Sequence, residues 1–316
     1  MEFRILGPIE VLDDGTGLPL RGRRTGAALA VAALVAASAC LSQGEATAAI
    51  GGGETPAPSS ERATVYTGEM PASSEESDCP LSFPSPLPDR SRVVPILMYH
   101  RINVVDASTP EITRQRTVHP DVFRAQMRWL KRNDYRTITQ RMLYDALMCS
   151  DRLPRKRILI TFDDGYRDVY TKASPVLVHF GMRATAYVIT GRISGSDSSF
   201  LTWRQLRLLE ERGVEIGSHT VSHYPLTTLS SERAYTQLLS SRQVLQRRLG
   251  HRVPWLAYPL GDYDSRIVSL ARRAGYRLAV TTEYGTTQSA RRPLALRRLR
   301  INDTTGVRGL AAMLGG

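Results

Sequence analysis

The pattern of apolar and polar positions changes character near residue 93. Beyond it, short runs of strand length alternate with stretches of helical period. The runs VVPILMYH (93–100) and RILITF (157–162) are almost continuously apolar, as strands buried on both faces are. ATAYVIT (184–190), VEIGS (214–218), WLAYP (255–259) and YRLAVTT (276–282) repeat the theme. Between them, residues 119–133 place Phe123, Met127 and Leu130 along one helical stripe. Residues 168–180, 203–212, 230–249 and 265–274 also read as helices, two of them running into Gly213 and Gly250, where helices commonly end. Strand, helix and strand in series pair in parallel, so the pattern predicts an α/β sheet or barrel with no internal repeat. In a (β/α) barrel, chemistry gathers at the C-terminal ends of the strands.

Upstream of residue 93 there is no such alternation. Residues 27–39, AALAVAALVAASA, form a short apolar run with Arg21, Arg23 and Arg24 before it and Cys40 after it. A basic flank, a run of this length and small residues at its end predict a signal peptide. The run is shorter than the roughly 20 residues that a membrane-spanning helix needs. Ala37-Ser38-Ala39-Cys40 resembles a lipoprotein processing site, which would make Cys40 a lipid-anchored N-terminus; simple cleavage after Ala39 is the alternative. Residues 42–91 are rich in Ser, Pro, Gly, Glu and Ala and keep no hydrophobic period, the composition of a flexible spacer. The first twenty residues, with Phe3, Ile5, Gly7, Ile9 and Val11 in strand alternation, resemble the opening hairpin of the antibiotic regulatory family of transcription activators. No winged helix follows, so no nucleic-acid partner is expected.

Composition narrows the picture further. The chain has 316 residues, 42% of them hydrophobic, and a formal charge of +12. Only three of the basic residues, Lys131, Lys156 and Lys172, are lysines, and the arginines are scattered apart from clusters at 21–24 and 291–300. They read as solvated helix faces, with at most a weak attraction to an anionic cell wall or membrane. Three cysteines, Cys40, Cys79 and Cys149, do not make a disulfide framework, and with Cys79 in the spacer a Cys79–Cys149 bond is not expected. The absence of a CxxC pair excludes a structural zinc finger.

Two clusters carry candidate chemistry. Thr161-Phe162-Asp163-Asp164-Gly165-Tyr166 puts two adjacent carboxylates just after a strand. Neighbouring side chains there point in different directions, so one can hold a metal while the other acts as a base. The plainer alternative is an acidic Asp-Gly turn. Ser218-His219-Thr220-Val221-Ser222-His223 places two of the chain's six histidines four residues apart, again at a strand end. An Asp with two His leaves coordination positions open for water and substrate, which is the catalytic pattern for zinc. The same donors serve non-haem iron oxygenases, although neither of these two clusters contains the close HxD or HxE pair common there.

TFDDGY, SHTVSH and the segment AYPLG (257–261) resemble the motifs of the polysaccharide deacetylase family (NodB homology, carbohydrate esterase family 4). LMYH (97–100), LTW (201–203) and AYPLGDYD (257–264) are most similar to its poly-N-acetylglucosamine deacetylase branch. The resemblance runs from about residue 93 to 300 and implies a distorted (β/α) barrel. It also implies metal ligation by Asp164, His219 and His223, with zinc or another divalent transition metal as cofactor. Asp163 would be the general base, a backbone N–H near Leu260 the oxyanion donor, and His100 the general acid. The chain departs from the family pattern at Ala257, where many members carry Arg, and in having no His beyond His251.

The expected organisation is an export or lipoprotein signal in 1–41, a linker in 42–91 and a catalytic domain in 92–316. The expected protein is an exported monomer. It would act on an N-acetylated polymer such as poly-N-acetylglucosamine, peptidoglycan or a chitin-like chain, and associate with the membrane only through its N-terminus. An O-acetyl esterase acting on xylan-like polymers and a non-catalytic carbohydrate-binding relative are the alternatives. Tyr166, Trp203 and Tyr258 read first as packing residues and second as sugar-stacking platforms, and Asp262 and Asp264 as turn residues.

Overall fold

A computed structural model describes residues 78–315. The N-terminal signal run, Cys40 and most of the expected spacer lie outside the described residues. Seven strands form the frame: β1 (Ile96–Tyr99), β2 (Arg157–Phe162), β3 (Ala184–Val188), β4 (Val214–Ser218), β5 (Trp255–Ala257), β6 (Leu278–Tyr284) and β7 (Leu296–Arg300). Each pairs in parallel with the next, and β1 pairs with both β2 and β7, which closes the sheet into a barrel. The expectation of a (β/α) barrel therefore holds.

Closure removes the exposed sheet edges and explains the apolar runs. Every residue of β1, β3 and β5 is buried, since each strand packs inward against the barrel and outward against helices. The helices are α1 (Pro120–Arg132), α2 (Gln140–Met148), α3 (Ser174–Phe180), α4 (Trp203–Glu211), α5 (Ser231–Leu249), α6 (Ser265–Arg273) and α7 (Val307–Met313). Their starts follow local chemistry. Thr139 caps α2, Thr202 and Gln205 form a reciprocal capping box on α4, and Ser230 and Asp264 cap α5 and α6. Gly250 ends α5 at φ 87°, a left-handed conformation that suits a residue without Cβ. Among the described residues no helix is long and apolar enough to cross a membrane.

Three stretches differ from the sequence expectation. The run 93–100 is split, with Ile96–Tyr99 in the barrel and Ser91–Val93 in a separate antiparallel pair with Thr287–Ser289. The strand β7 was not anticipated, because LRRLR reads as a charge cluster. Cys79 and Cys149 form a disulfide across 70 residues, contrary to expectation. The bond holds residues 78–90, assigned to the spacer by composition, as an ordered strap. Cys79 is buried together with Trp255, Leu278 and Leu296, the first residues of β5, β6 and β7. Leu81, Phe83 and Leu87 pack beside them. Arg141 donates to the Cys79 carbonyl, Tyr144 to those of Pro80 and Ser82, and Arg277 to that of Leu81. The strap thus seals the N-terminal end of the barrel and leaves the C-terminal end as the open mouth.

Closing a loop of this length by a covalent bond stabilises a domain by about 2–4 kcal/mol. Reduction, or Cys149→Ser, should lower the unfolding free energy by that amount, read from urea melts of the full chain with and without reductant. Unchanged melts would mean that the strap is held by its packing alone.

Candidate active site

The mouth of the barrel collects the residues that follow the strands. Asp163 and Asp164 follow β2, His219 and His223 follow β4, Tyr258 to Gly261 follow β5, and His100 follows β1. All of these but Pro259, together with Arg116, Thr282 and Arg300, line a cavity of about 80 Å³. The backbone there is bent hard: Asp164, Thr220, His223 and Leu260 all have positive φ, between 58° and 74°. Each such non-glycine residue costs on the order of 1–3 kcal/mol, and such strain concentrates where side chains must be aimed. Gly165, at φ 79°, completes the turn after Asp164, and a Cβ there would lie 3.1 Å from Val188.

Asp164, His219 and His223 each present one ligand atom, and these atoms lie within 4.8 Å of one another. His219 Nε2 and His223 Nε2 stand 3.5 and 3.4 Å from Asp164 Oδ1. The Nδ1–H of His219 donates to the Ala257 carbonyl at 2.8 Å, which leaves its Nε2 lone pair facing Asp164. Burial, reinforced by His219, takes His223 down to about 4, so at neutral pH its ring is an uncharged donor of a lone pair. For His219, burial also opposes the charge, but the adjoining Asp164 outweighs it and raises the pKa. Two imidazoles and a carboxylate on one point suit a zinc-type cation with open positions.

Asp163 has a different environment. Both of its oxygens accept from Arg298, at 2.8 and 2.7 Å, in a two-pronged pair. Arg298 is 1% exposed, and it also donates to the Thr281 carbonyl and to Thr161 Oγ1. Burial alone would raise the Asp163 pKa. The Arg298 guanidinium outweighs that and holds the carboxyl well below the usual carboxylate range. Arg298 escaped the sequence reading. LRRLR shows no strand alternation, and nothing in this arginine-rich stretch sets Arg298 apart from its neighbours. Ala257 offers no guanidinium, and the one that holds Asp163 comes from β7.

The other expected residues divide by position. His100 lines the cavity, and burial takes it down to about 4 against the upward pull of Asp163 and Asp164. Leu260 lies on the rim and is 52% exposed. Tyr258 is core: it is fully buried, donates to the Leu294 carbonyl and stacks on Tyr263. Trp203 packs against the core, and Tyr166 is held between Phe200 and Arg101. Asp262 accepts from Thr227 and Asp264 caps α6, the structural roles expected of them. Among the described residues the exposed aromatics are instead Tyr224 and Tyr284.

Comparison with known proteins decides the family. The polysaccharide deacetylase family model matches residues 150–279, which contain both carboxylates and both histidines. The Bacillus subtilis (strain 168) protein YxkH, whose name assigns it to the polysaccharide deacetylases, is 32% identical over 210 residues, or 66% of this chain and 71% of its own. The chain belongs to the polysaccharide deacetylase family. This deacetylase is also similar to the solved Streptococcus pyogenes deacetylase PplD in complex with acetate. The two are 31% identical with a TM-score of 0.65, covering 72% of this chain and 99% of that one. The poly-beta-1,6-N-acetyl-D-glucosamine N-deacetylase of Escherichia coli (strain K12) is 32% identical over 137 residues, 39% of this chain and 20% of that protein. The chain is accordingly a hydrolase, a polysaccharide deacetylase.

Arg298→Met should cost about 3–5 kcal/mol, because it strands a buried charge on Asp163. Arg298→Lys keeps the charge but not the fork, and should recover part of the stability and part of the acetate release. Urea unfolding and an acetate assay on both variants check this. A Met variant as stable as the parent would show that the pair does not matter.

Proposed function

We propose that this deacetylase removes N-acetyl groups from an amino-sugar polymer outside the cytoplasm, with zinc held by Asp164, His219 and His223. The observation that carries the reading is the convergence of these three ligand atoms beside a second, separately held carboxylate. When bound, zinc would supply Lewis-acid polarisation of the acetyl carbonyl and ease the ionisation of water near neutral pH.

The protein's own residues divide the remaining work. Asp163, kept ionised and oriented by Arg298, accepts the proton of the attacking water. The turn at Leu260 offers a backbone N–H to the oxygen on which negative charge develops. His100 protonates the departing amine. Its buried ring is neutral at rest, so the proton it delivers is the one that Asp163 has taken from the water, passed on through the ring as charge building on the substrate adds to the pull of Asp163 and Asp164. The cavity of about 80 Å³ has room for a group the size of an acetyl, and leaves the sugar at the rim.

The substrate class is supported by the Escherichia coli relative, whose name specifies poly-beta-1,6-N-acetyl-D-glucosamine. Export is supported by the apolar run at 27–39 and by the Cys79–Cys149 disulfide, a bond that persists in oxidising compartments.

Acetate release from β-1,6-linked N-acetylglucosamine oligomers and from peptidoglycan tests the proposal on the full chain. Removing metal with a chelator should abolish release, and added zinc should restore it. Asp163→Asn should lower release by about 10²–10⁴-fold, and His219→Gln should lose zinc by elemental analysis. Release from O-acetylated xylan alone would transfer the assignment to ester hydrolysis. Sugar binding without any release would make the chain a lectin-like relative.

A further inference from the structure

Two guanidinium groups in the cavity wall have no counter-charge bonded to them. Arg116 follows the one-turn helix Glu111–Gln115, and its own backbone is tied down, with its carbonyl accepting from Arg101 N and its N–H donating to Thr113. Arg300 is the last residue of β7, two positions after Arg298 and therefore on the same side of the strand. Both line the cavity with His100, Asp163 and Asp164. Neither side chain makes a hydrogen bond, ion pair or ring contact among the described residues.

Other arginines nearby are spent. Arg298 is committed to Asp163, Arg101 to Asp168, and Arg292 and Arg297 to Glu283. Arg116 and Arg300 are close enough for the charge of Arg116 to act on Arg300, on His100 and on His223. Asp163 and Asp164 offer two negative charges at the mouth against the three positive charges of Arg116, Arg298 and Arg300, which leaves one positive charge uncompensated. A cation bound by Asp164, His219 and His223 would widen that excess. Like charges brought together without an anion between them repel, so the arrangement costs free energy until an anion arrives. Guanidinium is the group suited to receive one, because its fork matches the paired oxygens of a carboxylate or phosphate.

We propose that Arg116 and Arg300 form an anion subsite beside the catalytic cavity, and that the favoured substrate carries a carboxylate or phosphate next to the N-acetyl sugar. The proposal rests on the deacetylase reading above and refines it. A plain neutral N-acetylglucosamine polymer becomes the poorer substrate. Sugar acids and phosphorylated sugars share the chemistry that the two arginines recognise. The acetate product is also an anion, and its binding must be told apart from that of the substrate.

The experiment compares the full-length zinc-loaded chain with the Arg116→Gln/Arg300→Gln double variant. The probes are a neutral N-acetylglucosamine oligomer, the same oligomer carrying a 6-phosphate, a muramic-acid-containing glycan with a free carboxylate, and the methyl ester of that glycan. In the parent, kcat/KM should favour a charged probe over its neutral counterpart by about tenfold or more. That ratio should shrink with added salt and fall close to one in the double variant, while Arg116→Lys/Arg300→Lys keeps part of it. The phosphate and carboxylate arms identify which anion is read. A ratio of one in the parent overturns the proposal. So does a ratio that persists in the double variant, or a double variant whose only change is weaker inhibition by acetate. If no probe releases acetate, the deacetylase reading fails separately. Calorimetric binding of the same probes then decides: tighter binding of charged probes, lost in the double variant, supports the subsite, and equal binding overturns it.

Discussion

Asp163 and Arg298 meet inside the protein, and the active end of the barrel is arranged around that meeting. A lone carboxylate at this depth would protonate or unfold its surroundings. A lone guanidinium at 1% exposure would be worse placed still. Paired through two hydrogen bonds, they settle which of two adjacent carboxylates is tied and which is free. Asp163 is the tied one. Asp164, turned the other way by its positive φ, is left to the histidines. The division of roles between neighbours thus comes from one strand end and one arginine delivered across the barrel seam.

Strain is the second contributor. Four non-glycine residues with positive φ surround the cavity, and each is fastened by chain geometry rather than by its own preference. The Ala257 carbonyl orients His219, and the Thr220 hydroxyl accepts from the His223 backbone. A closed barrel tolerates such bends because the strands below them are densely packed, β1, β3 and β5 on both faces.

Much of this was readable in the sequence. Apolar runs marked six of the seven barrel strands, since a strand covered on both sides has no polar positions to confuse the pattern. The doublet of carboxylates and the histidines four apart were legible because the residues that meet are near each other in the chain. Arg298 was not, because it lies more than a hundred residues from Asp163 and its strand carries arginines on both faces. Cys79 was missed for a related reason. Its surroundings have the composition of a spacer, and only the covalent bond to Cys149 and the anchoring by Arg141, Tyr144 and Arg277 make them structure.

The position of β7 has a consequence for how the molecule comes into being. The chain emerges N-terminus first, and the seam that closes the barrel joins β1 to β7, the first framework strand to the last. Until β7 has been made and has docked, Asp163 lacks its Arg298 partner and the ring of strands stays open. A product truncated before β7 would keep both carboxylates and both histidines of the site, yet would have neither a closed wall nor a held base. Hydrolytic competence is in this sense withheld until β7 has docked, and Arg298 couples the held base to the closing of the barrel.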